Sequence, residues 1–291
     1  MNGFETRRPV IVGVDRSEAS HWAVRWAADE AAERHLPLRL LHAQEWPVDR
    51  ASDRASDGAD HPWAIGLRAA GEAVLDTARL LAAERHPELE TTSELAQGRP
   101  VRVLREAADA AAQLDLGVRR SSGAHSALPI ASKGASLAGH LNCPLALVPE
   151  PSDGTSGAGP VVVGVDGSPA SRAAIGFAFE EASIRGTDVL AVEVRRPTEV
   201  GRPELTGESL TDLSESLAGW RKKYPDVRVR REVLTGSPAP MLAAVATRAR
   251  CLVIGSRGLG GFRGLLFGST GRALVHRCTV PLVIVPNGAP A

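Results

Sequence analysis

Gly255, Gly258, Gly268 and Ser269 follow the spacing G-2x-G-9x-G-S. They lie between the apolar run CLVI (Cys251 to Ile254) and the helical pattern RALVHR (Arg272 to Arg277). Glycines in that setting read as a simple turn or as a cradle of backbone N–H groups for phosphate. At Gly255 and Gly258 the absence of a Cβ lets the backbone come close to an anion. Gly268 and Ser269 open a helix, so its unpaired N–H groups and its dipole face the same place. The dipole contributes only about 0.3–1 kcal/mol per charge, so the N–H cluster must carry more of the binding. Ser269 and Thr270 can add hydroxyl donors.

A carboxylate belongs with this cradle only if the fold brings one there, and the chain's organisation says which. VIVGVDRS (Val10 to Ser17) matches VVVGVDGS (Val161 to Ser168) at six of eight positions. PLALVP (Pro144 to Pro149) matches PLVIVP (Pro281 to Pro286) at four of six. One domain is therefore duplicated, with domains expected at 8–149 and 161–287. The stretch 150–160, EPSDGTSGAGP, is a linker by composition.

Each repeat opens on a β-branched apolar run, as in strands buried on both faces. A helix follows in each: EASHWAVRWAADEAAERH after the cap Ser17, and ASRAAIGFAFEEASIRG after the cap Ser168 and Pro169, closed by Gly186. Strands then alternate with helices, five strands per repeat, which implies right-handed crossovers. The fold class is α/β: two tandem doubly wound domains, each a five-stranded parallel sheet in the order 3-2-1-4-5 flanked by helices. In that order strands 1 and 4 are neighbours, and the crevice at their carboxyl ends is the switch point where ligands sit. Asp166 ends strand 1 and Gly255 ends strand 4, so both face one cleft. The polar stretch from Glu45 to Gly66 reads as a long loop.

Other phosphate-binding patterns are missing. The first strand-to-helix turns, GVDRSEAS and GVDGSPAS, lack GxGxxG, and no GxxxxGK[ST] occurs. Late glycines, the GVD opening and the PLVIVP close together resemble a universal stress protein domain of the ATP-binding type, and the tandem resemblance spans nearly the whole chain. The resemblance implies ATP, with or without Mg2+, in the second repeat. It implies that Asp166 hydrogen-bonds the nucleoside and that backbone around Val194, at the end of strand 2, holds adenine. Arg257, Arg263 and Arg272 are either phosphate partners or solvated surface charges.

The first repeat departs from the pattern. Asp15 and Gly117 are kept and Ser132 aligns with Ser269, but Arg120 and Ala131 replace two glycines. A side chain there crowds phosphate, so ATP binding is expected to be lost or weakened, unless Arg120 and Lys133 hold it by charge. An intact site beside a degenerate one suggests a regulatory half.

The remaining chemistry is sparse. The chain has 34 basic and 34 acidic side chains, which argues against general electrostatic binding of nucleic acid or membrane. Three cysteines without CxxC spacing make a disulfide framework or zinc site unexpected. No apolar run approaches a membrane span or a signal-peptide core, so a cytoplasmic location is expected. Phosphoryl transfer wants a metal-binding acid, a water-positioning group and a charge-stabilising cation, and no such set can be assigned. A lone helical histidine, His276, reads as structural. Binding of an adenine nucleotide with little or no turnover is the reading, against a slow ATPase or a nucleotide-independent scaffold. Strand LVIV would be an exposed edge, which invites pairing with a second sheet; the family resemblance implies that it pairs between domains inside the chain, and in a homodimer as well.

Overall fold

The structure is a computed structural model describing residues 7–45, 62–119, 134, 136–151, 158–195, 214, 216–258 and 267–287. The chain divides into two compact units between Gly117 and Val118. The first unit carries β1 (Val10–Gly13), α1 (Glu18–Glu33), β2 (Leu38–Gln44), α2 (Pro62–Arg85), β3 (Thr91–Gln97), α3 (Pro100–Ala108) and β4 (Gln113–Val118). The second carries β5 (Leu145–Pro149), β6 (Val161–Val165), α4 (Pro169–Arg185), β7 (Val189–Arg195), β8 (Val229–Thr235), α5 (Pro238–Val245), β9 (Cys251–Gly255), α6 (Ser269–Val275) and β10 (Leu282–Val285). Both are α/β with mostly parallel strands. No helix among the described residues is long and apolar enough to cross a membrane.

In the first unit the strand order is β3-β2-β1-β4. β1 is parallel to both neighbours, with Val10 opposite Leu38 and Gln113. In the second, β8-β7-β6-β9-β10 reproduces the order 3-2-1-4-5, all parallel, with Val161 opposite Val189 and Cys251. The far side of β10 is covered: β5, the last strand of the first sequence repeat, pairs with it antiparallel, Leu147 opposite Leu282. An edge of four apolar residues is thereby closed within the chain.

Local sequence explains the helices that flank the cleft. The Ser168 side chain accepts from Ser171 N–H, Pro169 fills the first turn, and Gly186 ends α4 in the left-handed conformation at φ 61°. Ser17 caps α1 the same way, through Ser20 N–H. Each helix buries a carboxylate, Glu30 and Glu181, both 1% exposed. Arg34 pairs with Glu30, and Arg185 and Arg250 with Glu181, so neither charge is buried alone. The proposed loop at 45–66 is shorter than its composition suggests, because α2 already starts at Pro62; residues 46–61 lie outside the described ones.

Candidate functional site

The parallel strands β6 and β9 end side by side, and the chain leaves them in opposite senses. Asp166 is the first residue past β6. Its Oδ1 accepts the Ser168 N–H at 3.0 Å, which turns the chain into α4. β6 and β7 stay in register to Val165 opposite Glu193, so Val194 is level with Asp166, half-buried at the same end of the sheet. On the other side, β9 ends at Gly255, and Ser256 N–H donates to Val285 C=O at 2.8 Å. Gly268 N–H then donates to Ser256 C=O at 3.1 Å. Two ends of the glycine segment are thus brought together, while residues 259–266, Arg263 among them, lie outside the described ones.

The three motif glycines meet different demands. A Cβ on Gly255 would lie 2.6 Å from the backbone carbon of Ala170, in the first turn of α4. This glycine is needed for strand-to-helix packing, a reason distinct from the approach of a phosphate. A Cβ on Gly258 would run into Asp166 Oδ2. A Cβ on Gly268 would meet only ordinary contacts among the described residues, Ser256 O at 3.7 Å and Gly258 N at 4.0 Å. Its φ of −66° asks for no glycine either. The space in front of Gly268 is therefore not claimed by the described chain.

Gly268 is the N-cap of α6, with no side-chain capping bond, and Arg272 N–H returns to its carbonyl at 3.0 Å. Ser269 is exposed and Thr270 half-buried beside it. The N–H groups of the first helical turn have no partner inside the helix. Arg257 and Arg272 are exposed, and so is His276, which ends α6. Among the described residues no group of three His, Cys, Asp or Glu side chains could hold a metal ion.

One contact was not foreseen from the sequence. The Ser168 hydroxyl, 3% exposed as a residue, donates to Arg257 C=O at 3.2 Å and so ties the start of α4 to the glycine segment. In the first unit the matching hydroxyl goes elsewhere: Ser17 Oγ–H donates to Asp15 Oδ1, which also accepts Ser17 N–H at 2.8 Å. Only the alignment of Ser17 with Ser168 was visible beforehand, and a serine's cap role conceals where its proton goes.

Asp15 nevertheless occupies the place of Asp166, two residues past the end of β1. Gly117 occupies that of Gly255: a Cβ there would meet Ala19 C=O and lie 2.6 Å from Ser20 N in the first turn of α1. Its presence in both repeats follows from packing alone. Ser132 lies outside the described residues, as do Arg120, Ala131 and Lys133.

Fold and crevice define a tandem doubly wound α/β protein with a glycine-lined switch point. The model of the Universal stress protein family matches residues 6–149 and 158–286. A universal stress protein of Mycobacterium tuberculosis is 34% identical over 295 residues, 94% of this chain and 96% of the relative. Another, of Mycolicibacterium smegmatis, is 33% identical over 294 residues, 96% and 97% of the two chains. The crystal structure of a universal stress protein from Archaeoglobus fulgidus aligns at TM-score 0.70 and 17% identity over 96% of each chain, a likeness of fold. The chain belongs to the universal stress protein family.

Proposed function

We propose that the second repeat binds an adenine nucleotide, ATP in the first instance, in the crevice between β6 and β9, and that the protein acts as a nucleotide-responsive regulator with little or no turnover. The supporting observation is the convergence of Asp166, Gly258 and Gly268 at the crevice: Asp166 lies against Gly258, whose backbone N lies on the Gly268 side, where a Cβ would meet only ordinary contacts. Asp166 suits the ribose hydroxyls, and backbone at Val194 suits the adenine edge. Phosphate would rest against the N–H groups around Gly258, Gly268 and Ser269, with the hydroxyls of Ser269 and Thr270 as donors. Any Mg2+ would arrive on the phosphates. A nucleotide bound there supplies charge and contacts that tie β9, α6 and the glycine segment together, which is a switching role.

On this reading the repeats at 8–149 and 161–287 are the domains, 150–160 joins them, and only the second keeps a full-strength site. Asp15, Gly117 and Ser132 mark the weakened counterpart, in which Asp15 is occupied with its own cap serine. Thermal unfolding with and without nucleotide tests the reading. ATP at a hundred times its Kd adds about 2.7 kcal/mol to stability. For a chain of this size that is a shift of several degrees. The same nucleotide should leave Gly268→Asp unmoved. Indifference of the wild-type protein to ATP would sink the proposal, and ADP released within minutes would move it to an ATPase.

A further inference from the structure

The last turn of α2 and the helical residues 216–223 occupy equivalent places in the two units, each leading through a proline turn into an outer strand. The hydrogen bonds agree: His86 N–H to Ala82 C=O at 2.9 Å and Tyr224 N–H to Trp220 C=O at 2.8 Å, then Leu89 to His86 and Val227 to Tyr224. The strand registers agree too, Leu38 opposite Thr91 and Val189 opposite Val229. Leu80 thus matches Ala218, Glu84 matches Lys222, and Glu90 matches Arg228.

At these matched places the two units carry opposite chemistry. The second has a hollow of about 640 Å3 floored by Ala218, Val227 and Val229 and bordered by Arg221, Lys222 and Arg228. Among the described residues no carboxylate lines it. On the same helical stretch Trp220 stacks on Phe179 and Tyr224 tilts against it, with Lys223 over both rings. The first unit presents a projection instead. Leu80 is 66% exposed, one turn before the exposed Glu84, with the exposed Glu90 past the turn. Asp226 and Glu88 match each other and do not enter the inversion.

Both patches adjoin strands, β3 and β8, that pair on one side only among the described residues. Charge on an edge keeps like edges apart. Opposite charge at equivalent places makes unlike edges attract. We propose that the Leu80–Glu84–Glu90 patch of one copy docks into the Arg221–Lys222–Arg228 hollow of a second copy. The contact is heterologous, so it builds either a closed pair with two such contacts or a longer head-to-tail assembly. The self-association foreseen through a β10 edge, which β5 covers, is thereby relocated to the β3 and β8 sides.

Sedimentation of the full-length protein across a concentration series tests this. Association is expected at low salt and should weaken roughly tenfold or more between about 0.1 M and 1 M salt, as the screening length falls from about 10 Å to about 3 Å. Glu84→Lys with Glu90→Lys should leave a monomer, and so should Lys222→Glu with Arg228→Glu. Mixing the two double variants should restore assembly, because each then offers the other a complementary patch; that rescue also shows both variants to be folded. A wild-type monomer at every concentration, assembly indifferent to the swaps, or swaps that fail to rescue each other would overturn the proposal. So would inorganic tripolyphosphate binding that depends on Lys222 and Arg228 in a protein that stays monomeric.

Discussion

Asp166 Oδ2 fills the space that a Cβ on Gly258 would need. The two residues come from strand ends far apart in sequence, and their contact couples the carboxylate to the glycine segment. It makes Gly258 a gauge of the site: a side chain there displaces the carboxylate without touching the core.

Mutating the glycines one at a time separates folding from binding. Gly255→Ala and Gly117→Ala push a Cβ into helix backbone and should each cost about 1–3 kcal/mol in thermal or urea unfolding. Gly258→Ala should cost under about 1 kcal/mol, since a surface carboxylate can turn aside, while weakening nucleotide binding. Gly268→Asp supplies a better N-cap than glycine, so the free protein should hold its stability within about 0.5 kcal/mol even as phosphate binding is lost.

Glu181 is buried with Arg185 and Arg250 at 3.1 and 3.2 Å. Glu181→Ala takes the shared carboxylate away from both guanidinium groups, which are 9% and 17% exposed. The expected loss is about 3–5 kcal/mol, read from chemical denaturation, and Arg250→Ala should cost less because Arg185 still pairs with the carboxylate.

Asp29 joins α1 to the end of α2 through Arg85 and His86, each at 2.8 Å. Burial raises its pKa, but the hydrogen bonds from Arg85 and His86 outweigh that and hold the carboxyl below its ordinary 3.8. A depressed folded-state pKa gives stability that is fully present above the unfolded value and disappears as pH falls through the folded one. Asp29→Asn should therefore destabilise the protein at pH 7, and the gap from wild type should narrow below about pH 4. Melting temperatures of both proteins across that range give the comparison.

Cys143, Cys251 and Cys278 are buried and form no disulfide. Burial pushes the Cys278 thiol up to about 11. A thiol reagent at neutral pH should label none of these three quickly, because the reactive species is the thiolate. Labelling should instead track unfolding in denaturant.

The duplication, the buried valine strands, the Ser168 cap with Pro169 and the Gly186 stop were all legible in the sequence, because each is a local demand on a few adjacent residues. The pairing of β10 inside the chain was expected from the family resemblance, but LVIV itself carries no mark of its partner, so the antiparallel register with LALVP came only from the structure. Composition also disguised β4, where LDLGV reads as apolar although Asp115 is fully buried and takes a 2.7 Å hydrogen bond from Gln113. At the site, the motif spacing pointed to Gly255, Gly258 and Gly268 alike. Only the packing shows that Gly255 answers to Ala170 and Gly258 to Asp166. The inverted charges at Glu84 and Lys222 were present in the sequence, but they gained meaning only once α2 and the helical residues 216–223 could be matched.

Calorimetric titration of the full chain with Mg-ATP tests the central claim most directly. The account predicts about one nucleotide per chain, with heat that vanishes in Gly268→Asp. No binding at about 1 mM ATP, weaker than roughly 4 kcal/mol, would contradict it, as would undiminished binding in that variant.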